Sequence, residues 1–399
     1  MPMSSVDISL PEVGRCLRIE NATDVVTALT QAMPGWPVTV DAAHSTTPDL
    51  YMYRDAEGLW QGSLNEPNEF TVPSVASAAC SLVGELVSQR LQAHTELLGL
   101  HCASVEIDGQ LVVFPESSKA GKSTLSVAFA AAGYRVFGDD ALGLSAQGEG
   151  VAMGVAPRLR LPLPESFSAE FVAYSERHAG PQDERYRFVI PTAGRLASYQ
   201  DRCPIGTIVL LERDPSNLQP QVVTLAPGEG LLQLLQQNFA SSDVSDARLL
   251  KRLLPLVQQV NCVLLRYSEP LVGARYLAQA LQQGAVEQAS PASLLHTPPA
   301  HADVPALSLL NSIWTPALQV SVYTVGDELF LIHTSTGAIH RLNVSGKLAW
   351  QLLRHEPLSG DAISAVLAEY FAMPVERVQT DIAMLLAALV QAGLVVADA

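Results

Sequence analysis

Residues 110–124, QLVVFPESSKAGKST, decide the fold of the central part of this chain. An apolar run ends at Pro115, a loop of small residues follows, and Gly121-Lys122-Ser123-Thr124 opens a helix-like segment. Strand, loop and helix in that order gather backbone N–H groups, a helix N-terminus and a lysine around one anion. The phosphates of a nucleotide such as ATP suit that cradle. Ser117, Ser118, Lys119, Ala120, Gly121, Lys122, Ser123 and Thr124 would surround them, with Ser123 placed to reach Mg²⁺. Where the loop motif expects glycine, this chain has Glu116.

Working outward, the helix STLSVAFAAAG ends at Gly133, a suitable C-cap, and YRVF follows as a strand. That strand runs into Gly138-Asp139-Asp140. Carboxylates at the tip of a strand beside a phosphate loop can hold Mg²⁺ or accept a proton from an attacking hydroxyl. On the other side, His101 opens a strand pair, ASVEI and QLVVF, joined by a hairpin turn at Asp108-Gly109. Each feature has a plain structural alternative: an Asp-Asp turn, a core histidine, an ordinary helix start. Their joint occurrence at one end of one sheet favours chemistry. Further on, DERYRFVIP places Arg185 and Arg187 on one side of a strand, where they would clamp a phosphate or face solvent.

The chain has 399 residues, 48% of them hydrophobic, with 26 Gly and 26 Pro, enough for two or three domains with real cores. Its net charge of −16 argues against non-specific nucleic-acid binding. Five scattered cysteines, none in a CxxC pair, fit reduced thiols in a cytosol. Neither a signal peptide nor a membrane-length apolar run is visible, so a cytoplasmic protein without membrane contact is expected.

Residues 74–98 are expected to form one amphipathic helix. IGTIVLLER and NCVLLRY look like buried strands, and GLLQLLQQNF and DARLLKRLLPLVQQV like helices, an α/β alternation. A Pro-, Ala- and Ser-rich stretch at 286–306 marks a linker. The expected division is an α/β region at 1–95 of unknown role, a nucleotide-binding domain at 96–285, a linker at 286–310 and a last domain at 311–399. In that last domain VSVYTV, ELFLIHT and GAIHRL form a meander, and three helical segments follow, the first capped at Asn343 and Ser345. Such a small sheet leaves an edge strand free to pair with an extended peptide.

HCASVEIDGQLVVFPESSKAGKSTLSVAFAAAGYRVFGDDAL resembles the catalytic core of HPr kinase/phosphorylase and its relatives. The histidine, the phosphate loop and the Asp-Asp strand end stand at similar spacings. The resemblance implies a mixed-sheet P-loop core in which Lys122 contacts the β- and γ-phosphates and Ser123 contacts Mg²⁺. It also implies Asp139 as the base for a substrate hydroxyl, Asp140 supporting the metal or the loop, and His101 beside the phosphates. The family's later metal-binding glutamate has only a positional counterpart, Glu165 in RLRLPLPESF. The family's protein-substrate loop is not evident, which makes HPr an unsuitable substrate.

Residues 320–396 resemble a PqqD-like domain through RLNVSG, Trp350 in a helix and the closing Gly393-Leu394 turn. That resemblance implies a winged-helix-like α+β domain that recognises leader peptides. The leader would lie between Ile339–Leu342 and residues 382–389. Together the two resemblances imply an ATP- and Mg²⁺-dependent kinase of a Ser or Thr hydroxyl in a ribosomally made precursor peptide. A catalytically weak or inactive leader-binding chaperone is the alternative, and a small-molecule kinase with a docking domain is a third. A homo-oligomer is expected.

Overall fold

Asp108 and Gly109, with φ of 51° and 76°, join the strands Ala103–Ile107 and Gln110–Phe114. Two adjacent positive φ angles make the tight turn whose twist matches that of the flanking strands. The computed structural model containing this hairpin describes residues 5–115, 120–216, 219–239, 246–287 and 307–398. Four of the expected loop residues, Glu116, Ser117, Ser118 and Lys119, lie outside them.

The hairpin sits inside a ten-stranded sheet. Gln110–Phe114 runs parallel to Arg202–Arg213, which runs parallel to Asn261–Tyr267. Arg135–Gly138 pairs antiparallel with Ala103–Ile107 and so points the same way as Gln110–Phe114. Four strands therefore end at one edge: at Phe114, Gly138, Arg213 and Tyr267. In open α/β sheets that carboxyl edge is where ligands bind.

Ten α-helices occur among the described residues. They are α1 (Thr23–Ala32), α2 (Val75–Ala93), α3 (Lys122–Ala131), α4 (Ala169–Arg177), α5 (Pro227–Gln236), α6 (Asp246–Val257), α7 (Pro270–Gln283), α8 (Val344–His355), α9 (Gly360–Phe371) and α10 (Val375–Gln391). The expected helix at 74–98 is thus shorter. His94 leaves the helical conformation, and Leu98–Leu100 pairs instead with Leu142–Leu144 in the sheet. No helix among the described residues is long and apolar enough to cross a membrane.

The helices α3, α4 and α7 cover the central sheet, with Phe114, Phe129, Phe171 and Tyr267 in the shared core. A separate six-stranded sheet carries the N-terminal residues, and α1 and α2 pack on it around Leu17, Ile19, Leu29 and Leu82. Inside that sheet Asp7 is fully buried and accepts from Arg18 Nε at 2.8 Å, Arg15 Nη1 at 3.1 Å and the His44 amide at 2.9 Å.

The chain divides into two units, residues 1–225, 236–242 and 259–288 in one, and 226–235, 243–258 and 289–399 in the other. The second unit therefore holds α6 and α5 up to Leu235, which lie within the 96–285 range expected for the nucleotide-binding domain. Within it Val320–Val325, Glu328–His333 and Ile339–Leu342 form the meander. A second small sheet joins Ile313–Pro316, Leu358–Ser359 and Val395–Ala397. The three last helices close on Trp314, Trp350, Ile363 and Leu386, a winged-helix-like α+β arrangement. Asn343 caps α8 by accepting from the Gly346 amide at 2.9 Å. Arg341 pairs with Glu328 at 2.6 Å and with Glu229 of α5 at 2.8 Å.

Candidate active site

At the carboxyl edge of the central sheet, α3 begins immediately after Gly121, whose φ is +105°. An L side chain rarely adopts that conformation. A Cβ at Gly121 would also stand 2.5 Å from the Tyr267 hydroxyl. Glycine is thus required here by backbone angle and by space, and the helix N-terminus is left open to an anion.

Lys122, the first residue of α3, is buried at 5% exposure. Buried ammonium groups need nearby negative charge, and Asp139 and Asp140 supply it. Asp139 is itself only 3% exposed. It accepts from the Ser123 hydroxyl, from the Arg158 amide at 3.0 Å and from Ser126 Oγ at 3.5 Å. Gly138 permits the turn that sets the pair, since a Cβ there would lie 2.6 Å from the Ala141 carbonyl oxygen.

Asp140 is more open. Its Oδ1 lies 3.3 Å from His101 Nε2, and its Oδ2 accepts from Arg158 Nη2 at 3.4 Å. The two carboxyls differ in proton affinity. Burial, then the adjacent Asp140 charge, push Asp139 well above the usual carboxylate range against the pull of the Arg158 amide, Ser123 and Lys122. Burial also opposes the Asp140 charge, but His101, Lys122 and Arg160 outweigh it and hold that carboxyl below its ordinary value. Environments that split neighbouring carboxyls in this way separate acid from base roles.

A cleft of about 510 Å³ opens over these groups, within the ~300–1,000 Å³ typical of small-ligand sites. Of the residues expected at the site, His101, Ala120, Gly121, Lys122, Ser123, Thr124 and Asp140 line it. Asp139 lies just beneath, joined to Ser123. Arg185 and Arg187 are not brought there. Arg187 donates to Gln182 Oε1 at 2.8 Å and to Ser175 Oγ at 3.2 Å, and Arg185 is exposed. Tyr186 lines the cleft, so strand alternation turns Arg187 to the other face, and Arg185 lies just before the strand Tyr186–Val189. Glu165 is exposed and does not line the cleft, because Pro162, Pro164 and Phe167 take that side of its loop.

The cleft guanidinium groups come instead from Arg158, Arg160 and Arg213. Arg158 stacks over Tyr186 at 4.7 Å, and Arg213 over Phe167 at 4.9 Å. Rings that fix a guanidinium plane prepare it for phosphate oxygens. The alternation Arg158-Leu159-Arg160 was the available sequence signal, since Leu159 is buried and both neighbours must face away from the core.

Mg²⁺ fits the donor set here. Among the described residues no three His, Cys, Asp or Glu side chains cluster as an all-protein metal site would. Mg²⁺ commonly takes one or two protein oxygens and completes its shell from phosphates and water. Ser123 and Asp140 offer such oxygens beside the cradle.

Comparison with known proteins adds the following. Residues 328–395 match the family described as Coenzyme PQQ synthesis protein D. The C-terminal region is PqqD-like. No curated protein matches the chain. Among solved structures, the Hpr(Ser) kinase/phosphatase from Coxiella burnetii is 14% identical, with 47% of this chain and 98% of that chain covered and a TM-score of 0.24. TbiB1 in complex with the TbiA(beta) leader peptide is 24% identical, with 21% of this chain and 98% of that chain covered and a TM-score of 0.20. The PqqD-like stretch begins at Glu328 and takes in two strands of the meander and helices α8, α9 and α10.

Proposed function

We propose that this protein transfers the γ-phosphoryl group of ATP to a Ser or Thr hydroxyl of a ribosomally made precursor peptide whose leader is held by the PqqD-like region. The observation that carries it is the convergence of Lys122, Ser123, Asp139, Asp140 and His101 at one sheet edge, beside three cleft arginines, in a chain with a PqqD-like C-terminus.

Lys122 and the first amides of α3 bind the phosphates. Arg158 and Arg213 neutralise charge that spreads over the transferred group. Bound Mg²⁺, held by Ser123 and Asp140, would supply further neutralisation of the β- and γ-phosphate oxygens. The acceptor hydroxyl oxygen forms a bond to the γ-phosphorus as the bond from that phosphorus to the β–γ bridging oxygen breaks. Asp139, as carboxylate, takes the hydroxyl proton, and ADP leaves. His101 fixes the neighbouring Asp140 through the 3.3 Å contact. Holding the leader raises the local concentration of the acceptor segment. Ile339–Leu342 has one neighbour, Glu328–His333, among the described residues, which supports pairing of a peptide along its other edge.

Glu116 favours a second possibility, a leader-binding chaperone with weak or absent transfer, since it puts a side chain and negative charge where the loop motif has glycine. Incubating the full chain with Mg·ATP and Ser/Thr-bearing peptides from short reading frames found beside its gene, followed by mass spectrometry, separates the two. Addition of one phosphate is expected. No added mass would overturn the kinase assignment, and addition that survives Lys122→Ala would remove the site assignment.

A further inference from the structure

A second cavity, about 240 Å³ in volume, lies against the same carboxyl pair and shares Asp139, Asp140 and Arg158 with the site described above. Its far wall is one face of α2: Cys80, Val83, Gly84 and Val87, at the i, i+3, i+4, i+7 spacing that puts residues on one side of a helix. Val155 and Phe188 close it from the other side. The lining is apolar except where the cavity meets Asp139, Asp140 and Arg158.

Two features show what the cavity admits. Its volume is below the range of whole-ligand sites, and suits a single aliphatic or aromatic side chain. Gly84 stands inside a 19-residue helix, where glycine destabilises by about 1 kcal/mol relative to alanine. Gly84 is exposed at the rim of the cavity, and apart from its own chain neighbours and helix backbone nothing lies within 4 Å of the position its Cβ would take. Any larger residue would therefore grow into open space rather than into the core. Among the described residues, Gly121, Lys122 and Ser123 line the other cleft and not this cavity.

Resting on the kinase assignment, we infer that this pocket receives an apolar side chain adjacent to the acceptor hydroxyl, so that the protein selects Ser or Thr with a large apolar neighbour. Consecutive Cα atoms are 3.8 Å apart. A hydroxyl at Asp139 therefore leaves the next side chain at the mouth of a pocket bounded by that same aspartate. The N-terminal region, through α2, then supplies the selecting wall.

The test uses the full chain and a precursor peptide with the residues flanking its acceptor randomised. Phosphorylated products should be enriched for Leu, Ile, Val, Met or Phe at one flanking position. Gly84→Leu should abolish that enrichment and lower kcat/KM for the wild-type peptide by about tenfold or more, with Mg·ATP affinity unchanged. Gly84→Ala should stay close to wild type. Phosphorylation without apolar enrichment, or a Gly84→Leu protein that keeps it, would overturn the pocket assignment and leave the kinase intact. Should no peptide be phosphorylated, Cys80 still reports on the pocket, because the other four cysteines are buried. N-acetyl-Ser-Leu-amide should slow iodoacetamide labelling of Cys80 and N-acetyl-Ser-Asp-amide should not. Equal labelling rates would reject the pocket on their own.

Discussion

The hydroxyl of Tyr267 occupies the space that a side chain at Gly121 would need, 2.5 Å from the missing Cβ. The last residue of one strand thereby fixes the last residue before α3. Gly121→Ala should weaken Mg·ATP binding by about tenfold or more, since a strained positive φ alone is worth roughly 1–2 kcal/mol. Isothermal titration checks it. Undiminished affinity would mean that the start of α3 does not touch the phosphates.

Asp139→Asn keeps the shape of the side chain and removes its ability to take a proton. Transfer at saturating Mg·ATP should fall by about 10²–10⁴-fold, with nucleotide affinity changed little. Asp140→Asn should instead raise the Mg²⁺ concentration needed for half-maximal rate. A variant at Asp139 that works within about threefold of wild type would assign the proton to another group.

Much of this site is legible in the chain itself. The strand, the helix start at Gly121-Lys122 and the Asp-Asp corner follow from residues whose local preferences agree with their final environment, as does Asp108-Gly109 in a two-residue turn. The arginines are different. Arg158 and Arg160 are spaced by two, as are Arg185 and Arg187, and period-two spacing alone does not say which set meets a ligand. Pairing decides it: Arg160 stands opposite Tyr186 and Leu159 opposite Arg187, which puts Arg187 on the other face. The membership of α5 and α6 was equally hidden, because amphipathic helices carry no label for the surface that they cover. Glu229 on α5 becomes intelligible only once Arg341 is seen beside it.

Leu385 is half-buried on α10, within the 382–389 stretch expected to hold the leader. Leu385→Glu should weaken precursor binding by about tenfold or more without changing Mg·ATP affinity, with a far-ultraviolet circular dichroism spectrum matching wild type. Fluorescence anisotropy of a labelled precursor measures this. Equal affinity would move the leader to another surface.

Acid stability should depend on Asp7. Burial works against its charge, but Arg18, His44 and Arg15 outweigh it and hold the carboxyl far below its usual value of about 3.9. The folded value is the lower one, so the stabilisation is complete above about pH 3.9 and is lost as pH falls towards the folded value. Asp7→Asn should cost about 3–5 kcal/mol at neutral pH, since it removes the carboxylate charge that the buried Arg18 guanidinium pairs with. In urea melts the gap between variant and wild type should narrow steadily below pH 4. A constant gap from pH 7 to pH 2 would detach Asp7 from the acid response.

The Arg341–Glu229 ion pair has a practical and an evolutionary consequence. Neither unit is a contiguous stretch of gene, because α5 and α6 are translated between strands of the other unit. A fragment beginning after residue 306 would lack both helices and expose Arg341 without its α5 partner. Recombination at a single junction could not have delivered the second unit as it stands. A transfer of the C-terminal residues alone would leave α5 and α6 behind, between the strands of the first unit.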